Sequence, residues 1–225
     1  DWTGSKRMGE WLSNIKDWAI SRTRYWGTPI PVWICADCGH EHCVGSIAEM
    51  LEMKTDDSPI PPELHRPYVD DVKLHCPQSG CSGEMLREPY VMDCWFDSGC
   101  ASFAQWHHPF ENSEDFDASF PVDYICEAVD QTRGWFYSLL AIGTTVFDSI
   151  TYRRCLSLGH ILDKDGKKMS KSRGNVVNPW DHFDKEGSDS IRWYMMTQSA
   201  PWTPTNFDPM GVRESYAKMF LTLWN

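Results

Sequence analysis

The sequence predicts an α/β protein with a cysteine-rich module inserted in it, on three observations. Residues 122–128 and 154–162 read as apolar strands flanking a helical pattern at 130–147, and that order implies parallel pairing through a right-handed crossover. Two tight cysteine pairs, Cys35 with Cys38 and Cys76 with Cys81, bracket a stretch poor in apolar residues. Five cations crowd residues 164–173, just after the second strand, in a chain of 21 Lys and Arg against 32 Asp and Glu.

Taken in order, residues 8–15 carry a helical pattern, 29–34 form a strand leading into the first cysteine pair, and 45–53 form a short helix. Residues 54–66 are rich in proline and charge and bury little surface by themselves. Residues 85–93 are strand-like. In the 130–147 helix Trp135, Phe136, Leu139, Leu140, Gly143 and Phe147 recur at helical spacing, which suits an apolar face packed on a sheet. Asn178-Pro179-Trp180-Asp181 opens a further helix, residues 188–197 another, and 214–224 an amphipathic one with no cap after it.

The cysteine pairs suit zinc. A Cys-x2-Cys turn brings two thiolates to one ion, Gly39 lets the backbone turn back, and Cys76 with Cys81 closes a tetrahedral site. Four sulfur ligands leave no open position, so such a metal is structural. His40, His42 and Cys43 are competing ligands at the first turn, although adjacent residues point apart. Zinc is favoured over disulfides because nothing marks the chain as secreted. Cys94, Cys100, Cys126 and Cys155 read as small buried apolar residues.

The cationic stretch Asp165-Gly166-Lys167-Lys168-Met169-Ser170-Lys171-Ser172 suits a mobile phosphate-gripping loop. Small residues let the backbone approach a ligand, and two ammonium groups on flexible stems reach separate oxygens of a polyphosphate. A solvated basic hairpin turn is the plainer alternative. Val122 to Ala128 hands over to the 130–147 helix near Glu127, Asp130 and Gln131, and the carboxyl end of a strand in an open α/β sheet is where ligands bind. Asp123 and Glu127 equally suit helix-entry charges, and Trp135 a core position.

Composition bounds the rest. A length of 225 residues with 41% hydrophobic content allows one full core and a small satellite. No apolar run approaches the ~20 residues of a membrane helix, and no secretion signal is evident, so the expected compartment is the cytoplasm. A net charge of −11 excludes a broad basic nucleic-acid face and leaves local contacts only. Twelve tryptophans point to an aromatic core. The start at Asp1 and the end inside a helical pattern suggest a piece of something larger.

The string Gly159-His160-x4-Asp165-Gly166-x-Lys168-Met169-Ser170-Lys171-Ser172-x-Gly174-Asn175 resembles the second signature of class I aminoacyl-tRNA synthetases. The run from Asp17 to Pro29 and Trp95-Phe96-Asp97-Ser98-Gly99 are shared by the isoleucine, valine and leucine enzymes. Asp130-Gln131-Thr132-Arg133-Gly134-Trp135-Phe136 resembles the isoleucine-specific family. The resemblance covers an internal piece, without the first signature and without the editing domain.

It implies the second half of a Rossmann-like nucleotide-binding domain and four segments: 1–34 entering the catalytic domain, 35–84 binding zinc, 85–205 completing the catalytic half, and 206–225 beginning a helical anticodon-binding region. By resemblance, Glu127 contacts the aminoacyl-adenylate, Asp130 and Gln131 hold its polar groups, and Trp95 and Trp135 wall the amino-acid pocket. His160 lies by the nucleotide, and Lys168 with Lys171 act on its phosphates. The implied partners are ATP with Mg²⁺, isoleucine and tRNA(Ile), and the parent is expected to be a monomer. The fragment alone is expected to be inactive, a zinc-stabilised binding module being the alternative, or a relative specific for valine or leucine.

Overall fold

The cysteine-bearing strands form the largest sheet. In the computed structural model, which describes residues 2–225, the spatial order is Glu41–Cys43, Val32–Cys35, Glu84–Arg87, Leu74–His75, all antiparallel. The sheet runs a few residues beyond the expected 35–84 at each end. Trp33, Val44, Met50, Val69, Val72, Leu74 and Met85 pack into one buried cluster, and the Trp33 indole donates to the Val72 carbonyl at 2.7 Å.

Residues 54–66 bury more than their composition suggests, because Ile60 and Leu64 of that stretch pack against the core of this module. The short helix Ile47–Met53 begins where its cap dictates. The Ser46 hydroxyl accepts from the Glu49 amide, and Glu49 reaches back to the Gly45 amide at 2.6 Å.

The expected strand at 85–93 is two strands, Glu84–Arg87 in this sheet and Val91–Met92 paired with Ser21–Arg22. Pro89 supplies no amide hydrogen between them. The buried Arg87 guanidinium fastens the break by donating to the Ile30 and Tyr90 carbonyls and pairing with Asp70.

The strand, helix, strand unit is present. Ile125–Ala128 runs parallel to Cys155–Leu158, with Ile125 opposite Cys155 and Ala128 opposite Leu158. The strand expected from residue 122 begins at Ile125, preceded by one bridge from Val122 to Tyr152. Between the strands the chain is not one helix. A 3₁₀ turn, Val129–Arg133, ends at Gly134 (φ −140°, ψ −115°), and the α-helix Trp135–Phe147 starts afresh. Phe136 and Leu139 pack on Ile125 beneath the sheet. Cys94–Gly99 lies against this helix, with the Trp135 indole donating to the Ser98 carbonyl at 3.0 Å.

The single strand expected over 154–162 is two, since Cys155–Leu158 ends where the 200–205 loop bonds Gly159 and His160, and Ile161–Leu162 pairs in parallel with Thr205–Asn206 in a separate sheet. Helices Trp180–Glu186, Ser188–Thr197 and Pro209–Ser215 surround a third cluster of Ile191, Tyr194, Phe207 and Val212. The last of them winds on through Tyr216–Leu221 and Thr222–Trp224, so the terminal helix begins earlier than residue 214. The first helix likewise begins earlier than residue 8, as a π-wound Trp2–Met8 followed by Gly9–Ser13.

Two expectations fail. Trp33 is the one fully buried tryptophan among the described residues, and Trp26, Trp180, Trp202 and Trp224 lie mostly in solvent. An indole is rarely fully covered in small clusters, and the two-stranded parallel sheet offers little area to cover it. The single cysteines are not buried either. Cys94, at the head of a helix, and Cys155, which opens a strand, are exposed, and Cys100 and Cys126 are half-buried. Among the described residues no helix is long and apolar enough to cross a membrane.

Candidate active site and metal centre

The four predicted cysteines come together. Their sulfurs lie within 4.8 Å of one another, with Cys35 Sγ 3.7 Å from Cys81 Sγ and Cys38 Sγ 3.7 Å from Cys76 Sγ. A tetrahedron with Zn–S bonds of about 2.3 Å has edges of about 3.8 Å, so the two short separations match its edges. A disulfide needs about 2.05 Å, and all nine cysteines are free thiols.

Gly39 and Gly80 supply left-handed turns (φ 71° and 78°) beside the two pairs, and Gly80 absorbs the wider spacing of the second. The competing ligands His40, His42 and Cys43 are not among the four that cluster. His42 Nε2 meets Glu49 Oε1 at 2.9 Å, and Cys43 is exposed at the end of its strand.

Packing four thiols this closely sets their acidities apart. The Cys38 amide lowers Cys35 to about 7. At Cys81 the Gly83 amide lowers the thiol, but its sulfur neighbours and burial outweigh it and push it up to about 12. Four thiolates at these distances repel one another, and a divalent cation removes the conflict. The donor set therefore fits zinc.

The second site gathers at the carboxyl ends of the parallel strands. Glu127, exposed, sits opposite Ser157 one residue before the strand ends. The Val129–Arg133 turn then presents Asp130 and Gln131. Gln131 Nε2 donates to Asp130 Oδ2 at 3.0 Å, and its Oε1 accepts from the Trp135 amide at 3.0 Å, capping that helix. The neighbouring strand delivers Gly159 and His160 to the same edge.

A Cβ on Gly159 would lie 2.2 Å from the Thr203 carbonyl oxygen and 2.6 Å from the Pro204 nitrogen. The 200–205 loop is laid across this point by Gly159 N to Pro201 O (2.9 Å) and Thr205 N to His160 O (3.0 Å). Both obstacles are backbone and cannot rotate away. Gly159→Ala should therefore lower stability by about 1–3 kcal/mol and expose the Thr205 amide to exchange. An unchanged urea midpoint with that amide still protected would contradict the close approach.

Trp95 and Trp135 part company. Trp95, 41% exposed, lines a cleft of about 380 Å³ with Trp11, Trp18, Arg133, Gly134 and Tyr137. Trp135 is not among its lining residues and packs instead toward Ile125, Phe136 and Leu139. Two further residues set the pose of Trp95. Buried Asp93 accepts from the Trp95 amide at 2.7 Å, capping its helix, and Arg22 pairs with the Asp93 carboxylate. An Asp directly before a helical run carried the first signal in the sequence, but nothing in it tied Arg22 to Asp93.

The cationic loop is a closed hairpin. Leu162 bridges Lys168, Asp163 N donates to the Lys167 carbonyl at 2.9 Å, and a short 3₁₀ turn, Lys171–Arg173, ends at Gly174. Met169 points inward against the Ile191, Tyr194, Phe207 and Val212 cluster. Lys164, Lys168, Lys171 and Arg173 are exposed and form no ion pair among the described residues, whereas Lys167 lies near Asp163. Two exposed lysines thus flank an anchored methionine on the hairpin that follows His160 and Ile161–Leu162.

Residues 1–208 match the family described as tRNA synthetases class I (I, L, M and V). Isoleucine–tRNA ligases of Clostridium novyi and Thermus thermophilus are 57% and 51% identical over 219 residues, 97% of this chain and 21% of each relative. The chain thus spans about a fifth of the length of the curated relatives it matches.

Among solved structures, the leucyl enzyme of Agrobacterium radiobacter K84 in its ternary complex aligns with a TM-score of 0.66 at 23% identity, covering 97% of this chain and 30% of that one. A Mycobacterium tuberculosis methionyl-tRNA synthetase aligns at 0.58 and 18%, covering 95% and 31%. These two establish the fold. With most of its length matched by the family, the chain belongs to the class I tRNA synthetases.

Proposed function

We propose that this chain is part of the catalytic core of an isoleucine–tRNA ligase, which joins isoleucine to ATP as isoleucyl-adenylate and passes the acyl group to tRNA(Ile). The observation that carries the reading is the pair of exposed lysines on an anchored hairpin, just after the strand that follows His160, in a chain of net charge −11. In that reaction an isoleucine carboxylate oxygen attacks the α-phosphorus of ATP and pyrophosphate leaves. No nucleophilic side chain is needed, so the protein contributes positioning and charge. Lys168 and Lys171 receive the charge that builds on the departing phosphates, and His160 lies by the nucleotide.

Asp130 and Gln131 hold the polar groups of the adenylate, with Glu127 beside them, and Trp95 walls the aliphatic side chain. ATP arrives with Mg²⁺ on its phosphates. Zinc on Cys35, Cys38, Cys76 and Cys81 is structural and lies in a module of about residues 35–84. It separates the entering segment, 1–34, from the catalytic segment, 85–205, and residues 206–225 begin the helical region. The parent works as a cytoplasmic monomer.

The similarity to named isoleucine enzymes favours isoleucine over valine and leucine. The test is amino-acid-dependent ATP–pyrophosphate exchange by the 225-residue chain and by a full-length protein containing it. The full-length protein should exchange with isoleucine, and the chain alone should not. Trp95→Ala should change the isoleucine-to-valine ratio of kcat/KM by ~10-fold or more, since one methylene in a pocket is worth about 1–3 kcal/mol. Trp135→Ala should mainly lower stability. Preference of the full-length protein for valine or leucine would refute the assignment.

A further inference from the structure

Two side chains, Asp163 and Asn175, hydrogen-bond the backbone of the loop that carries the two lysines. Asp163 is 9% exposed and takes three hydrogen bonds. Its Oδ1 accepts from the amides of Asp165 at 3.0 Å and Lys167 at 2.7 Å, and its Oδ2 accepts from Asn175 Nδ2 at 2.7 Å. Asn175 spans the remainder of the loop. Its Nδ2 also donates to the Lys168 carbonyl at 3.2 Å, and its Oδ1 accepts from the Ser170 amide at 2.9 Å.

Every one of these bonds except that between the two side chains falls on backbone. The loop is thereby fixed from Asp165 to Ser170 without engaging either lysine side chain. Asn175 is the leading cause that keeps the Asp163 carboxyl below its usual range, so the acid stays ionised. Inside the loop, Met169 is gripped by the core cluster.

We propose that Asp163 and Asn175 are positioning residues that fix the backbone of residues 163–175, so that Lys168 and Lys171 meet a polyphosphate as a preformed pair. The proposal rests on the phosphate role given to the loop above. Holding two flexible ammonium groups on one rigid frame removes the cost of ordering the loop at the moment of binding. The same frame would present both charges as pyrophosphate departs. An Asn-to-Asp exchange at 175 is nearly isosteric, yet it deletes the donor to Asp163 and sets two carboxylates against each other.

The experiment uses inorganic tripolyphosphate as the probe, titrated into the isotope-labelled chain and followed by amide NMR, with hydrogen exchange measured in parallel. The wild type should show slow exchange at Lys167 and Ser170 and tripolyphosphate-induced shifts across residues 163–175, and Lys168→Ala should weaken the response. Asn175→Ala should speed exchange at Ser170 and weaken binding by roughly tenfold or more, the equivalent of one charge-assisted hydrogen bond. Core amides of Phe136 and Trp33 should be unaffected. If Asn175→Ala disturbs those core amides, Asn175→Asp provides the same comparison, with loss expected at Lys167.

Unchanged affinity in a variant whose loop amides have been released would overturn the positioning role alone. So would full protection at Ser170 in Asn175→Ala. A wild-type chain that ignores tripolyphosphate, or binds it no better than Lys168→Ala does, would instead refute the phosphate reading and the positioning role with it.

Discussion

Stripping zinc from the four-cysteine cluster, or replacing Cys35 by Ser, is expected to unfold residues 32–87 while the parallel strands at 125–128 and 155–158 persist. Two features oppose each other in this module. Its core of Trp33, Met50, Val69, Leu74 and Met85 is well covered, but a unit of this size buries too little surface to be more than marginal alone. Metal binding in zinc modules contributes about 10–16 kcal/mol of apparent free energy, as large as the whole ~5–15 kcal/mol stability of a typical domain. The metal term should therefore decide.

Metal analysis should find one zinc per chain. Chelation should then release the Trp33 indole from the Val72 carbonyl, seen as a red-shifted emission and loss of amide protection across the four-stranded sheet. Retention of the buried Trp33 environment in zinc-free protein would mean that the apolar core suffices. Cys43→Ser should change neither metal content nor stability, because that thiol is exposed and stands outside the cluster.

What the sequence disclosed depended on how local its causes were. The Cys-x2-Cys turn and the strand, helix, strand order are written in short spacings, and both are present in the fold. Ser188–Thr197 has its expected limits. The helix Ile47–Met53 starts at a serine with Glu three residues on, a signal legible without a structure. Interruptions were harder to see. Gly134 divides an unbroken helical periodicity because Gln131 folds back to cap the second piece, and Pro89 splits a run whose side-chain pattern is continuous.

Within the candidate site, residue types announced themselves and their supports did not. Lys168 and Lys171 stand out as cations in an acidic chain. Asp163 is one acid among many until three donors converge on it, and those donors lie up to 12 residues away through a turn. Arg22 and Asp93 are 71 residues apart in sequence, and only the pairing of Ser21–Arg22 with Val91–Met92 brings them together. Trp95 and Trp135 look equivalent as letters. One lines the cleft and the other packs on the core, because the Trp135 indole is tied back to Ser98.

Lys171→Ala, made in a full-length protein containing this chain, should lower kcat for adenylate formation by ~10²–10³, or about 2.7–4 kcal/mol, with a much smaller change in KM for isoleucine. Lys168→Ala should do the same. The split follows from where charge develops. Isoleucine meets the α-phosphate and not the departing phosphates, so its binding is indifferent to the loop, whereas the departing pyrophosphate oxygens gain negative charge only as the α-phosphorus bond breaks. Stability should not move, since both ammonium groups are exposed and form no ion pair among the described residues, and neither contributes to the hairpin's bonds. Single-turnover measurement of adenylate formation, with urea unfolding of the same samples, separates the effects. A loss confined to KM for ATP would mean the lysines bind the nucleotide equally in ground and transition states. A loss that tracks a fall in the unfolding midpoint would make them structural. Because both lysines act on one leaving group, the double variant should lose less than the product of the single losses.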